Sequence, residues 1–190
     1  MPRKVYVYAV VTGFLAITGV VVAALSDTQV FRLRDNCDPA TFNAAPPVGP
    51  GAGEICNPNF DGSTTFAQFI QELSEDRNVG AWRFNPDEVR LDRGQRTLFE
   101  SRAGEFHTFT RVAAFGGGIL PGLNALSGAG PVRPECGATD SLAPPSATNI
   151  FVPDGAVLPG PTAGSSALPQ GTSRWQCCLH PWMTSEVRVR

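Results

Sequence analysis

The chain has 190 residues, enough for one domain with an appendage, and a formal net charge of −2 that leaves no basic surface for nucleic acid. A charged fraction of 17% beside 42% hydrophobic residues argues against disorder and leaves apolar material for one core. Its 20 glycines and 17 prolines break the backbone too often for a helical bundle, and its two histidines exclude any site needing three.

Arg3 and Lys4 precede residues 5–25, an uncharged run of 21 residues that ends before Asp27. This pattern predicts export, through either a secretory signal or a membrane anchor over residues 1–26. Its polar residues form no helical stripe, which argues against a buried core helix. Loss of that segment would leave 13 arginines against 17 acids, a net charge of −4. Export implies a periplasmic or other extracytoplasmic, oxidising compartment in which disulfides persist. Five cysteines is an odd number there, so one is expected to be a free thiol or a ligand.

Residues 27–62 are polar, carry Pro and Gly clusters, and read as a loop-rich arm. Cys37 and Cys56 bracket it and are expected to close it, a bridge contributing about 3 kcal/mol in the chain-entropy model. Phe66, Phe69, Ile70 and Leu73 recur at i, i+3, i+4 and i+7, which predicts a helix over 64–76. Thr65 and Gln68 fit a capping box at its start. No potential ligand lies on this helix, so it is read as core packing.

From Val79 the pattern becomes one of short strands with regular turns, at 81–84, 88–91, 97–99 and 105–112. Residues 113–170 are rich in Gly, Pro, Ser and Ala and read as a long loop insertion with one strand at 149–152. Two further strands are expected at 174–177 and 186–190. The fold class is therefore all-β, a β-sandwich.

The segment Cys177-Cys178-Leu179-His180-Pro181-Trp182-Met183 compresses thiolate, imidazole and thioether into seven residues. That donor set suits copper, and two histidines, one cysteine and a distant axial methionine make the blue-copper arrangement. His107 is the remaining histidine, and Met1 the remaining methionine. Taken singly, His107 reads as a satisfied buried histidine, Met183 as core, and Cys177-Cys178 as disulfide partners. The joint occurrence favours a metal site. A zinc structural site also suits Cys and His, but the methionine and the spacing argue against it.

The segment Gln176 to Met183 resembles the C-terminal ligand loop of the cupredoxins, the plastocyanin and azurin superfamily. Its Cys-x-x-His-Pro-aromatic-Met spacing is most similar to amicyanin-type loops. Glu105 to Phe109 looks like the strand carrying that family's first histidine, and Trp82 to Gly94 resembles its opening strands. The resemblance covers about residues 79–190. It implies a Greek-key sandwich and one type 1 copper held by His107, Cys177, His180 and Met183. It further implies an electron carrier rather than an enzyme, docking a redox partner near His180, Pro181 and Trp182, where the loop histidine would reach the surface.

The expected organisation is thus a signal or anchor at 1–26, a disulfide-closed arm and helix at 27–78, and a cupredoxin-like domain at 79–190. Thr108 stands where the family often has Asn; its hydroxyl or backbone N–H would serve near the sulfur. Strand alternation puts Cys177 on the same face as Trp175, inward, and Cys178 on the other. Cys178 is then free to bridge to Cys136, although four cysteines allow three pairings. Copper delivery or storage, or a non-redox interaction module, are the other functions compatible with this pattern. Copper enzymes of related fold need further histidines, and a binuclear oxidase-type centre needs two cysteines separated by three residues, whereas Cys177 and Cys178 are adjacent.

Overall fold

A computed structural model describes residues 28–45 and 54–190. The expected signal or anchor at 5–25 lies outside them. Among the described residues no helix is long and apolar enough to cross a membrane.

Among the described residues the α-helices and strands are, in chain order, β1 (Thr28–Arg34), α1 (Pro39–Phe42), α2 (Phe66–Asp76), β2 (Arg83–Asn85), β3 (Glu88–Leu91), β4 (Arg96–Arg102), β5 (His107–Val112), α3 (Pro121–Ser127), β6 (Gly137–Ala138), β7 (Ser141–Leu142), β8 (Asn149–Val152), β9 (Val157–Pro159), β10 (Gly171–Gln176) and β11 (Thr184–Val189). A four-stranded sheet runs β2-β1-β4-β9 and a five-stranded sheet runs β3-β11-β10-β5-β8; β6 and β7 form a small ribbon. The chain is mostly β, with two large sheets, as the strand pattern predicts.

Aromatic side chains from both sheets meet between them. Phe109 of β5 is the hub, with its ring centroid 5.2 Å from Phe31, 4.8 Å from Phe99 and 4.9 Å from Phe84. Trp175 of β10 stacks on it at 4.7 Å. All five rings are buried. Such pairs contribute about 0.5–1.5 kcal/mol each beyond area burial. The hub sits two residues after His107, so the packing that fixes β5 also fixes the histidine.

Two expectations are corrected here. Residues 28–34 are not part of a loop-rich arm; they form β1, an interior strand paired in parallel with β4 from Thr28↔Arg96 to Arg34↔Arg102. The alternation that places Phe31 and Leu33 inward carries on to Asp35 and Cys37, which are buried as well. Residues 113–170 are likewise not one long loop. They hold α3, the β6–β7 ribbon, β8 beside β5, and β9 beside β4. These elements are two to seven residues long, too short for a period to emerge.

The helix forms as expected. Thr65 caps α2, its side chain accepting from the Gln68 N–H while the Gln68 side chain accepts from the Thr65 N–H. Phe69 and Leu73 are buried on its inner face. Phe69 reaches Trp82, Trp182 and His180, with ring centroids at 4.8, 5.8 and 6.4 Å. The helix therefore roofs the C-terminal loop.

Candidate metal centre

Three chain segments build the centre. His107 opens β5, Cys177 follows the last residue of β10, and His180 lies in the turn before β11. The turn is tied by its own backbone: the Cys177 N–H donates to the Met183 carbonyl, and the Met183 N–H donates to the His180 carbonyl, both at 2.9 Å. Cys177 and His107 are wholly buried and His180 is 5% exposed. One donor atom from each lies within 4.8 Å of the others. Met183 is buried in the same turn.

Both imidazoles present Nδ1 to the sulfur. The Cys177 Sγ is 3.7 Å from His107 Nδ1 and 3.8 Å from His180 Nδ1. Bonds of about 2.0 Å to nitrogen and 2.3 Å to sulfur, the lengths usual for zinc, span about 3.7 Å at a trigonal angle. The spacing thus fits two nitrogens and a thiolate sharing one first-row ion. Burial alone would raise the Cys177 thiol, but hydrogen bonds and charge from His107 and His180 outweigh it and hold the thiol well below its ordinary value. A thiolate is the form that ligates metal.

Thr108 serves the sulfur through its backbone: its N–H points at Cys177 Sγ from 3.5 Å. Its hydroxyl accepts from the Cys178 N–H at 2.8 Å, locking β5 to the ligand turn.

Two acidic residues that the motif reading did not assign complete the centre. Asp35, following β1, accepts from His107 Nε2 at 2.9 Å, and both side chains are 0% exposed. It also accepts from the N–H groups of Gly104 and Glu105 at 2.8 and 2.9 Å. Gly104 is needed there: a Cβ would collide with the Phe60 ring and the Cys37 sulfur. Burial raises the Asp35 carboxyl, but the hydrogen bond and charge of His107 prevail and lower it. Burial also works against the His107 cation, yet Asp35 and Cys177 push that imidazole up to about 10. Glu105 accepts from Trp82 Nε1 and lies 3.3 Å from His180 Nε2; burial raises its carboxyl. Both acids had a signal in the sequence. Asp35 continues the inward register of β1, and Glu105 lies two residues before His107, on the same side.

The expected docking patch is corrected in one respect. His180 and Pro181 are buried, and only Trp182 of the three is partly open to solvent. The cause is α2, whose Phe69 covers the imidazole, and the Trp182 ring, 5.5 Å from His180. A cleft of about 450 Å³ opens beside Trp182 and Met183, lined also by Trp82, Arg83 and Asp87.

The disulfides join Cys37 to Cys56 and Cys136 to Cys178, and Cys177 is free, as the pairing argument expects. The second bridge fastens residues 113–142 to the back of the ligand turn. The Gln176 amide exchanges hydrogen bonds with the Gly116 N–H and carbonyl, and the Ile119 N–H donates to the Cys178 carbonyl at 2.7 Å. A Cβ on Gly118 would collide with that same carbonyl. Removing the bridge with the double substitution Cys136→Ser, Cys178→Ser is expected to destabilise the chain by about 4 kcal/mol for a closed loop of this order. It is also expected to leave metal binding at Cys177 in place. Urea unfolding and a metal titration of the double variant check both halves.

No protein-family model matches the chain, and no curated protein matches it. Its neighbours among solved structures are cupredoxins. A purple cupredoxin from Nitrosopumilus maritimus is 13% identical with a TM-score of 0.36, over 62% of this chain and 93% of its own. An amicyanin from Paracoccus versutus is 10% identical with a TM-score of 0.33, over 59% and 76%. A reduced auracyanin from Roseiflexus castenholzii is 15% identical with a TM-score of 0.31, over 57% and 87%.

Proposed function

We propose that the chain is an exported cupredoxin that carries single electrons at one type 1 copper, which His107, Cys177, His180 and Met183 would hold. The observation that carries this reading is the convergence of the free thiolate with the Nδ1 atoms of both histidines at 3.7 and 3.8 Å in a buried site. The donors are soft and borderline, and a methionine lies buried in the same short turn. Bound copper would supply a one-electron couple.

The chain supplies rigidity. The hub at Phe109 fixes β5 and the bridge at Cys178 fixes the turn, so the ligands keep one arrangement in both oxidation states and reorganisation is small. The thiolate receives one backbone N–H, from Thr108, which tempers its donor strength. Two disulfides support an oxidising, extracytoplasmic compartment, and residues 1–26 would provide the signal or anchor. The redox partner would dock over Trp182 and the cleft beside Met183. On this reading the two-sheet sandwich is a Greek key and the chain is a carrier, not a catalyst.

The test is addition of Cu(II) to the purified protein. The expected result is an intense thiolate-to-copper absorption that ascorbate bleaches and ferricyanide restores over repeated cycles, with copper retained. A colourless protein would remove the copper reading. Copper lost at each reduction would favour delivery or storage instead.

A further inference from the structure

Each imidazole of the centre meets a buried carboxylate on the nitrogen that faces away from the sulfur. Asp35 holds His107 Nε2 at 2.9 Å and Glu105 lies 3.3 Å from His180 Nε2. The two pairs come from different parts of the fold. Asp35 follows β1 and is fixed by the N–H groups of Gly104 and Glu105. Glu105 precedes β5 and is fixed by the indole of the buried Trp82. Asp35, Glu105 and His107 themselves form a tight buried group.

We propose that Asp35 and Glu105 are a matched pair of positioning residues that hold both imidazoles with Nδ1 toward the metal and bias the centre to the oxidised, cupric ion. The inference rests on the copper reading above. Its physics has two parts. A carboxylate on Nε2–H fixes the ring's tautomer and direction and makes the other nitrogen a stronger donor. Asp35, and Glu105 once the ion's positive charge offsets its burial, also set negative charge against the far side of each imidazole, at low dielectric, where charge interactions are strong. A dication gains more from that field than a monocation does. The centre should therefore bind Cu(II) more tightly relative to Cu(I), and its potential should be low.

Glu105→Gln is the decisive variant. The amide oxygen can still accept from Trp82 Nε1 and stay beside His180 Nε2, so the packing survives while the charge is removed. The expected result is a retained colour with the Cu(I)-to-Cu(II) affinity ratio raised tenfold or more, read as a midpoint rise of about 59 mV or more for a one-electron couple. Asp35→Asn is expected to move the midpoint in the same direction. In the Zn(II)-loaded wild type, histidine ¹⁵N shifts should report Nε2–H on both rings. Glu105→Ala should speed solvent exchange of that proton at His180 alone.

A folded, coloured Glu105→Gln whose midpoint rises by less than this, or falls, overturns the inference and leaves the copper reading standing. A wild type that takes up no copper overturns both. Should Glu105→Gln not fold, Trp82→Phe decides. It deletes the N–H that offsets the Glu105 charge, so the midpoint is expected to fall; an unchanged or raised midpoint overturns the inference.

Discussion

Cys177→Ala is expected to abolish the charge-transfer absorption outright and to reduce Cu(II) binding to a residual level. Cys177 is the free cysteine, is wholly buried, and is the atom on which both imidazoles converge. Without it the two nitrogens remain, but the anionic, soft donor is gone, and no other thiolate stands near because Cys178 is committed to Cys136. The neighbouring cysteine provides the internal control: in the double variant lacking Cys136 and Cys178, the colour should survive. Optical titration of the two variants side by side checks this. A coloured Cys177→Ala, or a mass map of the non-reduced protein that finds Cys177 in a disulfide, would refute the ligand assignment.

The contrast between Cys177 and Cys178 also shows which parts of this molecule are written locally. The ligand turn spans seven residues, so its chemistry is visible in one glance at residues 177–183. Alternation then separates the two cysteines without knowledge of the sheets, because side chains on a strand change face at every step. The helix over 66–76 is equally local, since both its capping box and its apolar stripe lie within its own span. His107 is legible through its motif, and its Nδ1 lies 3.7 Å from the sulfur.

What escaped the motif reading is non-local. The strand at 28–34 pairs in parallel with residues 96–102, nearly 70 positions away, and parallel pairing leaves no hairpin signal. The Pro and Gly clusters at 45–51 give the whole segment a loop-like composition, although Phe31, Leu33 and Asp35 alternate. The 113–170 segment is ordered by its neighbours: the Cys178 bridge, the Gln176 amide and the edges of β4 and β5 hold pieces too short to show a period. Asp35 and Glu105 are not legible in the motif because an isolated acid on an apolar register looks like a surface residue until its partner is known. Each acquires meaning only when the fold brings a histidine to it.

The acid at position 35 is where the largest loss of stability is expected. Asp35→Ala should destabilise the copper-free, disulfide-intact protein by about 3–5 kcal/mol, the usual cost of removing one partner from a buried ion pair. Its carboxylate receives the N–H groups of Gly104, Glu105 and Cys37 as well as His107 Nε2, and alanine leaves all four donors buried without an acceptor. An orphaned buried donor costs about 1–3 kcal/mol, and these donors share one site, so their costs do not simply add. Against a total stability of about 5–15 kcal/mol for a domain, the loss is a large fraction. The same substitution frees the His107 ring to turn, and loss of such a partner typically lowers metal affinity about 10- to 100-fold. Asp35→Asn should fall between, because one oxygen still accepts while the amide nitrogen faces donors on the other side. Urea unfolding of the three proteins gives the order wild type, Asn, Ala. If Asp35→Ala loses less than about 1 kcal/mol, water has taken the place of the carboxylate and the assigned hold on His107 is wrong.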